Sequence, residues 1–358
     1  MLQLISQLDR RRYSPRLLVF KSSEYIEQQQ FPCPVTVLGV SSLASPSMWW
    51  LLLRFARQQY SQGVRIAHVY FNDASVVGPP VFWLAGIKTI ISRRDMGYWY
   101  TPVYRAVLRL TRHFVAMAVV NSQAVGEVTS QVEGITGDKL RVVYNGYMPR
   151  QANHSVIPEL ESIAASQQLV AGLVANIRPI KRMQDAIAAV AKLRREGVYM
   201  QLVIVGGGDS SGLERLAAES GVDDSVWFLG ARSDVQQCLA YFDVALLCSE
   251  SEGFSNALVE YQYAGLPVIC TRTGGNPEAI VEGITGLLYE VGDVDGLAAQ
   301  LKCLVENDQL RQKMGEDAQS SASQRFSVKK MVEEHEKLYD GLLGFKQDWQ
   351  KAEAELDR

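Results

Sequence analysis

Two glutamates eight residues apart, Glu252 and Glu260, have the spacing that most clearly suggests chemistry. Glu252 falls in a loop after an apolar run typical of a buried strand, and Glu260 falls about one turn inside the helix predicted next. Ser255 or Asn256 can cap that helix, and the free N–H groups of Asn256 and Ala257 then point out of a positive helix end that suits phosphate. A carboxylate on either side of a phosphate seat matches a nucleotide sugar, in which a diphosphate joins a sugar to a ribose.

The second half of the chain alternates predicted strands with predicted helices, which indicates a parallel sheet covered on both faces. The predicted strands are 169–174, 201–205, 226–229, 244–247 and 268–270, and the predicted helices are 184–196, 213–220, 235–241, 256–264 and 296–307. Ligands of such sheets bind outside the carboxyl ends of the strands, and Glu252 follows one of these ends.

The first half alternates less regularly, with strands predicted at 16–20, 35–38, 66–69, 89–91, 115–120 and 140–144. These patterns predict a Rossmann-like domain over 1–150, a linker over 151–168 and a nucleotide-sugar-binding Rossmann-like domain over 169–327. A charged helical tail follows over 328–358, and both packing across the domains and protrusion into solvent remain open.

Charge divides the chain unevenly. Residues 1–150 hold 17 Lys+Arg and 8 Asp+Glu, a balance of +9, against a net charge of −3 for the whole chain. This basic half could bind an anionic membrane surface or a phosphorylated acceptor. Alternatively, its positive face could dock against the acidic second half of the same chain. Nucleic acid is not expected as a partner, because no recognition motif accompanies the charge.

Five scattered cysteines without a CxxC pair favour reduced thiols in a cytoplasmic protein. No apolar run reaches the length of a membrane-spanning helix, and no secretory signal is expected because charged residues already occur in the first dozen positions. We therefore expect a cytoplasmic location, with peripheral attachment to the inner face of the membrane as an open alternative.

A series of short motifs extends over nearly the whole chain. They are Asn121-Ser122, Asn145-Gly146, Asn176-Ile177-Arg178-Pro179-Ile180-Lys181, Val205-Gly206-Gly207-Gly208, Phe228-Leu229-Gly230, the Glu252 to Glu260 segment, Gly265-Leu266-Pro267-Val268-Ile269, Gly274-Gly275-Asn276-Pro277-Glu278 and Arg325-Phe326-Ser327. Together they resemble the retaining nucleotide-sugar glycosyltransferases of family 4. The resemblance implies an α/β protein of the GT-B fold, with two facing Rossmann-like domains built on parallel sheets.

The resemblance also implies roles for individual residues. Glu252 would face the donor sugar and Glu260 the ribose hydroxyls, since an ionised carboxylate only accepts hydrogen bonds. Arg178 and Lys181 would hold the diphosphate, where fixed cations stabilise the charge that grows on the leaving group. We name Arg178, Lys181 and Glu252 as catalytic, and we expect no metal, because these cations take the place of a divalent ion.

Further donor contacts are predicted around the same edge of the sheet. The predicted donor-binding residues are Gly206, Gly208, Gly230, Phe254, Ser255, Asn256, Ala257 and Glu260. The glycines after the second strand would let the backbone approach the nucleotide, although a plain tight turn explains them as well. No cofactor is expected beyond the nucleoside diphosphate sugar itself.

On the acceptor side the predicted residues are Arg94 and Asp95. Many family members place a histidine where Arg94 stands, so this position departs from the family pattern. Arg94 would bind a phosphate, with Asp95 orienting it or accepting an acceptor hydroxyl, and a purely structural salt bridge is the alternative. His68, near the end of the preceding strand, is more typical of a packed imidazole than of a catalyst.

The start of the chain is the second departure from the family. Residues 1–8 have a helical pattern, whereas the family opens with a strand and a glycine loop near the diphosphate, so the first domain is predicted to lack its N-terminal strand.

Together these features predict metal-independent transfer of a hexose-type unit, with retention, from a nucleoside diphosphate sugar to a saccharide or lipid-linked hydroxyl acceptor. The expected role is in polysaccharide or glycolipid synthesis. A non-catalytic nucleotide-sugar-binding module is the alternative, and a nucleotide-sugar epimerase of similar fold is a third interpretation.

Overall fold

The computed structural model of the protein describes residues 1–40, 45–149 and 156–345, which form two compact units. The first unit combines Met1–Gly146 with the carboxyl-terminal segment from Val328, and the second unit is Tyr147–Ser327. No helix in these described ranges is both long enough and apolar enough to cross a bilayer.

The described residues of the first unit before Tyr147 form six strands and six α-helices. The strands are β1 (Leu17–Val19), β2 (Val35–Val37), β3 (Ile66–Val69), β4 (Lys88–Arg93), β5 (Val115–Val120) and β6 (Leu140–Val142). The helices are α1 (Leu2–Gln7), α2 (Glu24–Gln28), α3 (Pro46–Ser61), α4 (Asn72–Leu84), α5 (Pro102–Thr111) and α6 (Gln123–Glu133).

The strands of the first unit form two separate parallel sheets. Strands β3, β4, β5 and β6 form one sheet in that order, while β1 and β2 pair only with each other. Apolar residues flanking β1 and β2 pack with α3 and α4 into a small core of their own, so the pair is held beside the larger sheet by burial rather than by hydrogen bonds.

Local chemistry fixes where the helices of this unit begin and end. The side chain of Ser122 accepts a hydrogen bond from the backbone N–H of Val125 and thereby caps α6. The same helix ends at Gly134, whose φ of 71° is a left-handed conformation that glycine adopts without steric cost. The Asn121-Ser122 motif therefore marks the turn from β5 into α6.

The residues of the second unit that the structure describes form six further strands and eight α-helices. The strands are β7 (Leu169–Val174), β8 (Met200–Val205), β9 (Val226–Phe228), β10 (Val244–Leu247), β11 (Val268–Thr271) and β12 (Gly286–Tyr289). The helices are α7 (Pro158–Ala164), α8 (Met183–Arg195), α9 (Ser211–Glu219), α10 (Val235–Leu239), α11 (Asn256–Tyr263), α12 (Asn276–Ala279), α13 (Val294–Val305) and α14 (Asp308–Arg325).

All six strands are parallel, in the order β12-β11-β10-β7-β8-β9. The strand order reverses between β7 and β10, and a crevice opens at such a switch point on the carboxyl side of the strands. The ring of Phe242, just before β10, packs over Gly172 in β7, where a Cβ would lie 1.9 Å from that ring. One continuous apolar core lies beneath this sheet and includes residues of α8 and α13.

The last helix of the described chain, α15 (Val328–Leu343), packs on the first unit. Residues of α15 share a buried core with α1 and with the strands β4 and β5. Arg12 pairs with Asp340, and the hydroxyl of Tyr13 donates to the same carboxylate at 2.7 Å. The charged tail pattern therefore corresponds, up to residue 345, to a helix that belongs to the first unit.

The α/β class and the parallel sheets predicted from the sequence are confirmed. The predicted linker 151–168 lies partly outside the described residues, and the rest of it contains α7, which packs on β7. Strand β12 and helix α14 had not been predicted. The chain begins with α1, as its helical pattern predicts, and β1 is its first strand.

Candidate active site

A cavity of about 310 Å³ opens at the switch point of the second unit. It lies where β7 and β10 end, so the reversal of strand order is what creates it. The residues lining it are Val174, Ala175, Asn176, Arg178, Lys181, Leu247, Glu252, Phe254, Ser255, Asn256 and Ala257. Three predicted catalytic residues and four of the predicted donor-binding residues therefore come together in one cavity.

Glu252 is held in place by two donors on one of its oxygens. The ammonium of Lys181 donates to Oε1 at 2.5 Å, and the hydroxyl of Ser249 donates to the same oxygen at 2.6 Å. The other oxygen, Oε2, meets no hydrogen-bond donor in the described part of the chain. Because Lys181 has three N–H donors, the pair leaves both a carboxylate oxygen and ammonium hydrogens available to a ligand.

Ser249 is a site residue that the sequence analysis missed. It is fully buried at the end of β10, and its backbone carbonyl accepts a hydrogen bond from the hydroxyl of Thr271 at 2.6 Å. The sequence places Ser249 just after a predicted strand, but a serine at such a position does not indicate a contact with Glu252.

Arg178 and Lys181 follow β7 in the segment that leads to α8. Arg178 is exposed, and no carboxylate in the described ranges pairs with it, so its guanidinium fork is available to phosphate oxygens. Next in the chain, Arg182 has a φ of +47°, a left-handed conformation that glycine adopts more readily than arginine. Its guanidinium holds the carboxylate of Asp185 at 2.7 and 3.1 Å, and this bond stabilises the first turn of α8.

The amino end of α11 forms the opposite wall of the cavity. Of the two predicted capping residues, Ser255 and Asn256, Ser255 is the N-cap residue, but its side chain makes no capping hydrogen bond. The first N–H groups of a helix have no partner within the helix, and those of Asn256 and Ala257 lie at the cavity wall. Phe254 packs edge-on against Phe326 and fixes the start of the helix.

Glu260 lies one turn into α11, half-buried, and is not among the residues that line the cavity. The next residue, Tyr261, is fully buried, and its hydroxyl accepts a hydrogen bond from the backbone N–H of Val174 at 2.7 Å. This bond ties α11 to the end of β7, so the two walls of the cavity are fixed to each other.

Glycines allow the loops around the cavity to approach one another. Gly206 and Gly208 have φ of 158° and 130°, and a Cβ on Gly206 would lie 1.9 Å from the carbonyl oxygen of Ala175. The glycine turn therefore packs directly on the segment after β7. Gly230 accepts a hydrogen bond from the N–H of Gly206 at 2.8 Å and continues this edge, outside the lining of the cavity.

A second glycine loop supports Glu252 from behind. Gly274 has a φ of +50°, and a Cβ there would lie 1.8 Å from the carbonyl oxygen of Glu252. The N–H of Gly275 donates to the same carbonyl at 3.2 Å. Only glycine fits this contact, which explains the first glycine of the Gly274-Gly275 pair after β11.

Acidic residues that might suggest a metal site have other partners. The sequence Asp293-Val294-Asp295 lies at the start of α13, where Asp293 caps the helix through the N–H of Gly296. Asp295 pairs with Lys192. Across the described ranges no group of three or more His, Cys, Asp or Glu side chains could hold a metal ion.

The predicted acceptor-side residues lie in the first unit, after β4. Arg94 donates to the side-chain oxygen of Asn145 at 3.0 Å and lies over the ring of Tyr70. Asp95 accepts from the N–H of Gly97 at 2.8 Å and from the indole N–H of Trp99 at 2.9 Å. Asp95 therefore stabilises its own turn. Arg94 and Asp95 do not form a salt bridge with each other in the described structure.

Two neighbouring features of the first unit are structural. His68 contacts the hydroxyls of Tyr339 at 2.8 Å and Ser92 at 2.9 Å, and desolvation by burial lowers its pKa well below the usual value, as expected for a packed imidazole. Arg93, whose role the sequence did not reveal, forms a buried ion pair with Glu133 at 2.6 Å.

Two family models match the chain. The model for glycosyl transferases group 1 matches residues 161–321, and the model for glycosyltransferase family 4 matches residues 1–150. The cavity residues all fall within the first of these matches.

Curated relatives match parts of the chain. N-acetyl-alpha-D-glucosaminyl L-malate synthase from Bacillus anthracis is 39% identical over 171 residues, which are 48% of this chain and 45% of the relative. The Vi polysaccharide biosynthesis protein VipC/TviE from Salmonella typhi is 26% identical over 259 residues, 70% of this chain and 44% of the relative. The chain thus spans less than half the length of the curated relatives it matches.

Solved structures match nearly the whole fold. The structure of Anabaena Alr3699/HepE in complex with UDP has a TM-score of 0.78 and 22% identity, and the match covers 91% of this chain and 92% of that one. At this identity the likeness concerns the fold alone.

Proposed function

Since this chain belongs to the family 4 glycosyltransferases of the GT-B type, we propose that it transfers a sugar from a nucleoside diphosphate sugar to a hydroxyl group of an acceptor. The observation that carries the proposal is the meeting of Arg178, Lys181 and Glu252 with the amino end of α11 in one cavity. The cations and helix end suit a diphosphate, and the carboxylate suits a sugar hydroxyl.

The proposed donor would lie along the carboxyl edge of the sheet. Its diphosphate would contact Arg178, Lys181 and the first N–H groups of α11, while the free oxygen of Glu252 accepts a sugar hydroxyl. The cavity of about 310 Å³ is at the small end of ligand sites. The ribose and base would therefore extend toward Glu260 and the glycine turns at Gly206 and Gly230.

In the proposed reaction the bond between the anomeric carbon and the phosphate oxygen breaks, and a bond from that carbon to the acceptor oxygen forms. The acceptor proton passes to the leaving phosphate, and attack from the same face gives retention of configuration. Negative charge grows on the diphosphate as the bond breaks, so Arg178 and Lys181 stabilise the transition state more than the bound donor. We propose that these two cations suffice without a metal ion.

For the donor and the acceptor we propose only a chemical class. The structure of HepE was solved with UDP-glucose as well as with UDP, which makes uridine donors the first to test. One relative is named for malate and another for a polysaccharide, and we favour a saccharide or lipid-linked acceptor in polysaccharide or glycolipid synthesis.

Thermal unfolding with nucleoside diphosphates and their sugars tests the donor site. A ligand that binds only the folded protein at about 100 times its Kd stabilises it by about 2.7 kcal/mol, which raises the melting temperature by several degrees. The R178A and E252Q variants should lose most of this rise. The R215A variant is the matched control, because Arg215 is an exposed cation on α9 of the same unit.

Release of the nucleoside diphosphate in the presence of acceptors tests turnover. Replacing Arg178 or Lys181 by Ala should lower kcat by about 10²–10³, the usual effect of losing one fixed donor to a transition-state charge. Full activity of these variants would refute the proposed catalytic roles. Nucleotide binding by the wild type without transfer to any acceptor would instead support the non-catalytic binding module.

A further inference from the structure

The outer face of α3 in the first unit combines aromatic and basic side chains and includes no acidic one. Its inner face packs into a small core through Met48, Leu52 and Ala56, which are spaced four residues apart and fully buried. The exposed side of the helix, which we call the α3 face, has Trp50, Arg54 and Arg57 opposite that core and Trp49 and Tyr60 at its edges.

Large aromatic side chains on the α3 face are exposed beside arginines. Trp50 is 61% exposed, and the guanidinium of Arg54 lies 5.6 Å from the centre of its ring. Tyr60 is 40% exposed, and the guanidinium of Arg65 lies 4.2 Å from its ring. Exposed tryptophan is costly in water, and a helix that displays it beside arginine has the composition of an interfacial helix.

The charge on this face is positive. Helix α3 contains Arg54 and Arg57 and no acidic residue, and Arg65 follows it in the chain. Arg65 donates to the backbone carbonyls of Tyr60 and Val64, and none of the three arginines forms a salt bridge within the described ranges. The face therefore attracts anions.

We propose that the α3 face docks the protein onto an anionic phospholipid bilayer. Its arginines would form bidentate hydrogen bonds with lipid phosphates. Trp50 and Tyr60 would lie between the headgroups and the acyl chains. Charge complementarity favours an anionic bilayer, and the exposed indole favours a bilayer over a purely polar polyanion. This inference is independent of the proposed function, because the residues of the donor cavity lie in the second unit.

Sedimentation of the full chain with phospholipid vesicles tests the docking. Vesicles of phosphatidylcholine with roughly a third phosphatidylglycerol should bind the wild type, and pure phosphatidylcholine vesicles should bind it much less. Raising the ionic strength from about 0.1 M to about 0.5 M should release the protein, because the Debye length shortens. Removing both charges in the variant R54Q/R57Q should weaken binding about 25-fold, or about fivefold for each arginine near the surface.

The aromatic contribution is tested separately. W50A should weaken binding, and its matched control is Y199A, since Tyr199 is a comparably exposed aromatic residue of the second unit. R215Q is the matched control for charge. Melting temperatures and nucleotide-induced stabilisation should be unchanged in all of these variants, which separates loss of docking from loss of folding or of the donor site.

Three results would overturn the inference. One is equal sedimentation with neutral and anionic vesicles, and another is no sedimentation even at low ionic strength. The third is binding by R54Q/R57Q and W50A that matches the wild type. If the protein binds nucleotide but not vesicles, the docking proposal is refuted and the proposed function is unaffected.

Discussion

The buried hydroxyl of Ser249 provides the sharpest test of how the candidate site is organised. Its Oγ donates to Glu252 Oε1 at 2.6 Å, and Lys181 donates to the same oxygen at 2.5 Å. The variant S249A removes one of these two donors and changes no group that we expect to contact the donor. We therefore expect Glu252 to keep its ion pair with Lys181 but to lose its fixed orientation.

The expected magnitude follows from the strength of such bonds. A hydrogen bond to a charged group contributes about 1.5–3 kcal/mol, and about 1.4 kcal/mol corresponds to a tenfold change in rate. If the orientation of Glu252 matters in the transition state, kcat/KM of S249A should fall by about 10- to 100-fold. Since Ser249 acts through Glu252, it is a positioning residue, and kcat should fall more than KM rises.

Steady-state release of the nucleoside diphosphate measures both constants. The matched control is S225A, because Ser225 is also buried and its hydroxyl accepts a hydrogen bond from Arg194 at 2.6 Å, away from the cavity. Both variants should melt at a lower temperature than the wild type, but only S249A should lose turnover. An S249A protein with a lowered melting temperature and wild-type kcat/KM would falsify the reasoning.

Three further predictions concern the framework of the units. E133Q should lower the free energy of unfolding by about 3 kcal/mol, because it leaves the buried charge of Arg93 without a counter-charge, and R93M/E133L should recover most of that loss. G274A should lower both stability and turnover, because its Cβ would collide with the backbone of Glu252. Burial lowers the pKa of His335 to about 4. Between pH about 6.5 and about 4 the unfolded chain therefore binds a proton at His335 that the folded chain does not bind. His335 should contribute a fall of about 3 kcal/mol in stability between pH about 6.5 and about 4, in addition to the fall from His68, and H335L should remove the contribution of His335.

Urea unfolding measures all three predictions, with turnover added for the glycine variant. G283A is the matched control for G274A, because Gly283 also has a positive φ of 78° but no atom lies within 4 Å of its Cβ position. Wild-type stability in E133Q would contradict the ion-pair argument. Equal effects of the two glycine variants would contradict the collision, and an unchanged pH profile in H335L would contradict the role of burial.

Most strands and helices of the second unit could be predicted because their apolar residues follow clear periods. The boundaries of β7, β10 and α8 differ from the predictions by at most one residue. Strand β12 was missed because it begins with a glycine, which is depleted in strands, and directly follows a run of turn residues. The separate pairing of β1 with β2 could not be predicted, since either strand fits a sheet edge equally well by its sequence.

The sequence by itself determined the alternation of strands and helices, the family, and the residue types of the candidate site. These depend on local propensity and on the order of motifs along the chain, which any single chain displays. Tertiary structure decided which side chains meet: the switch point between β7 and β10, separated by about seventy residues, brings Lys181 against Glu252. It also placed Ser249 behind that pair and α15 on the first unit, because contacts between distant segments depend on sheet order and burial, which no local pattern encodes.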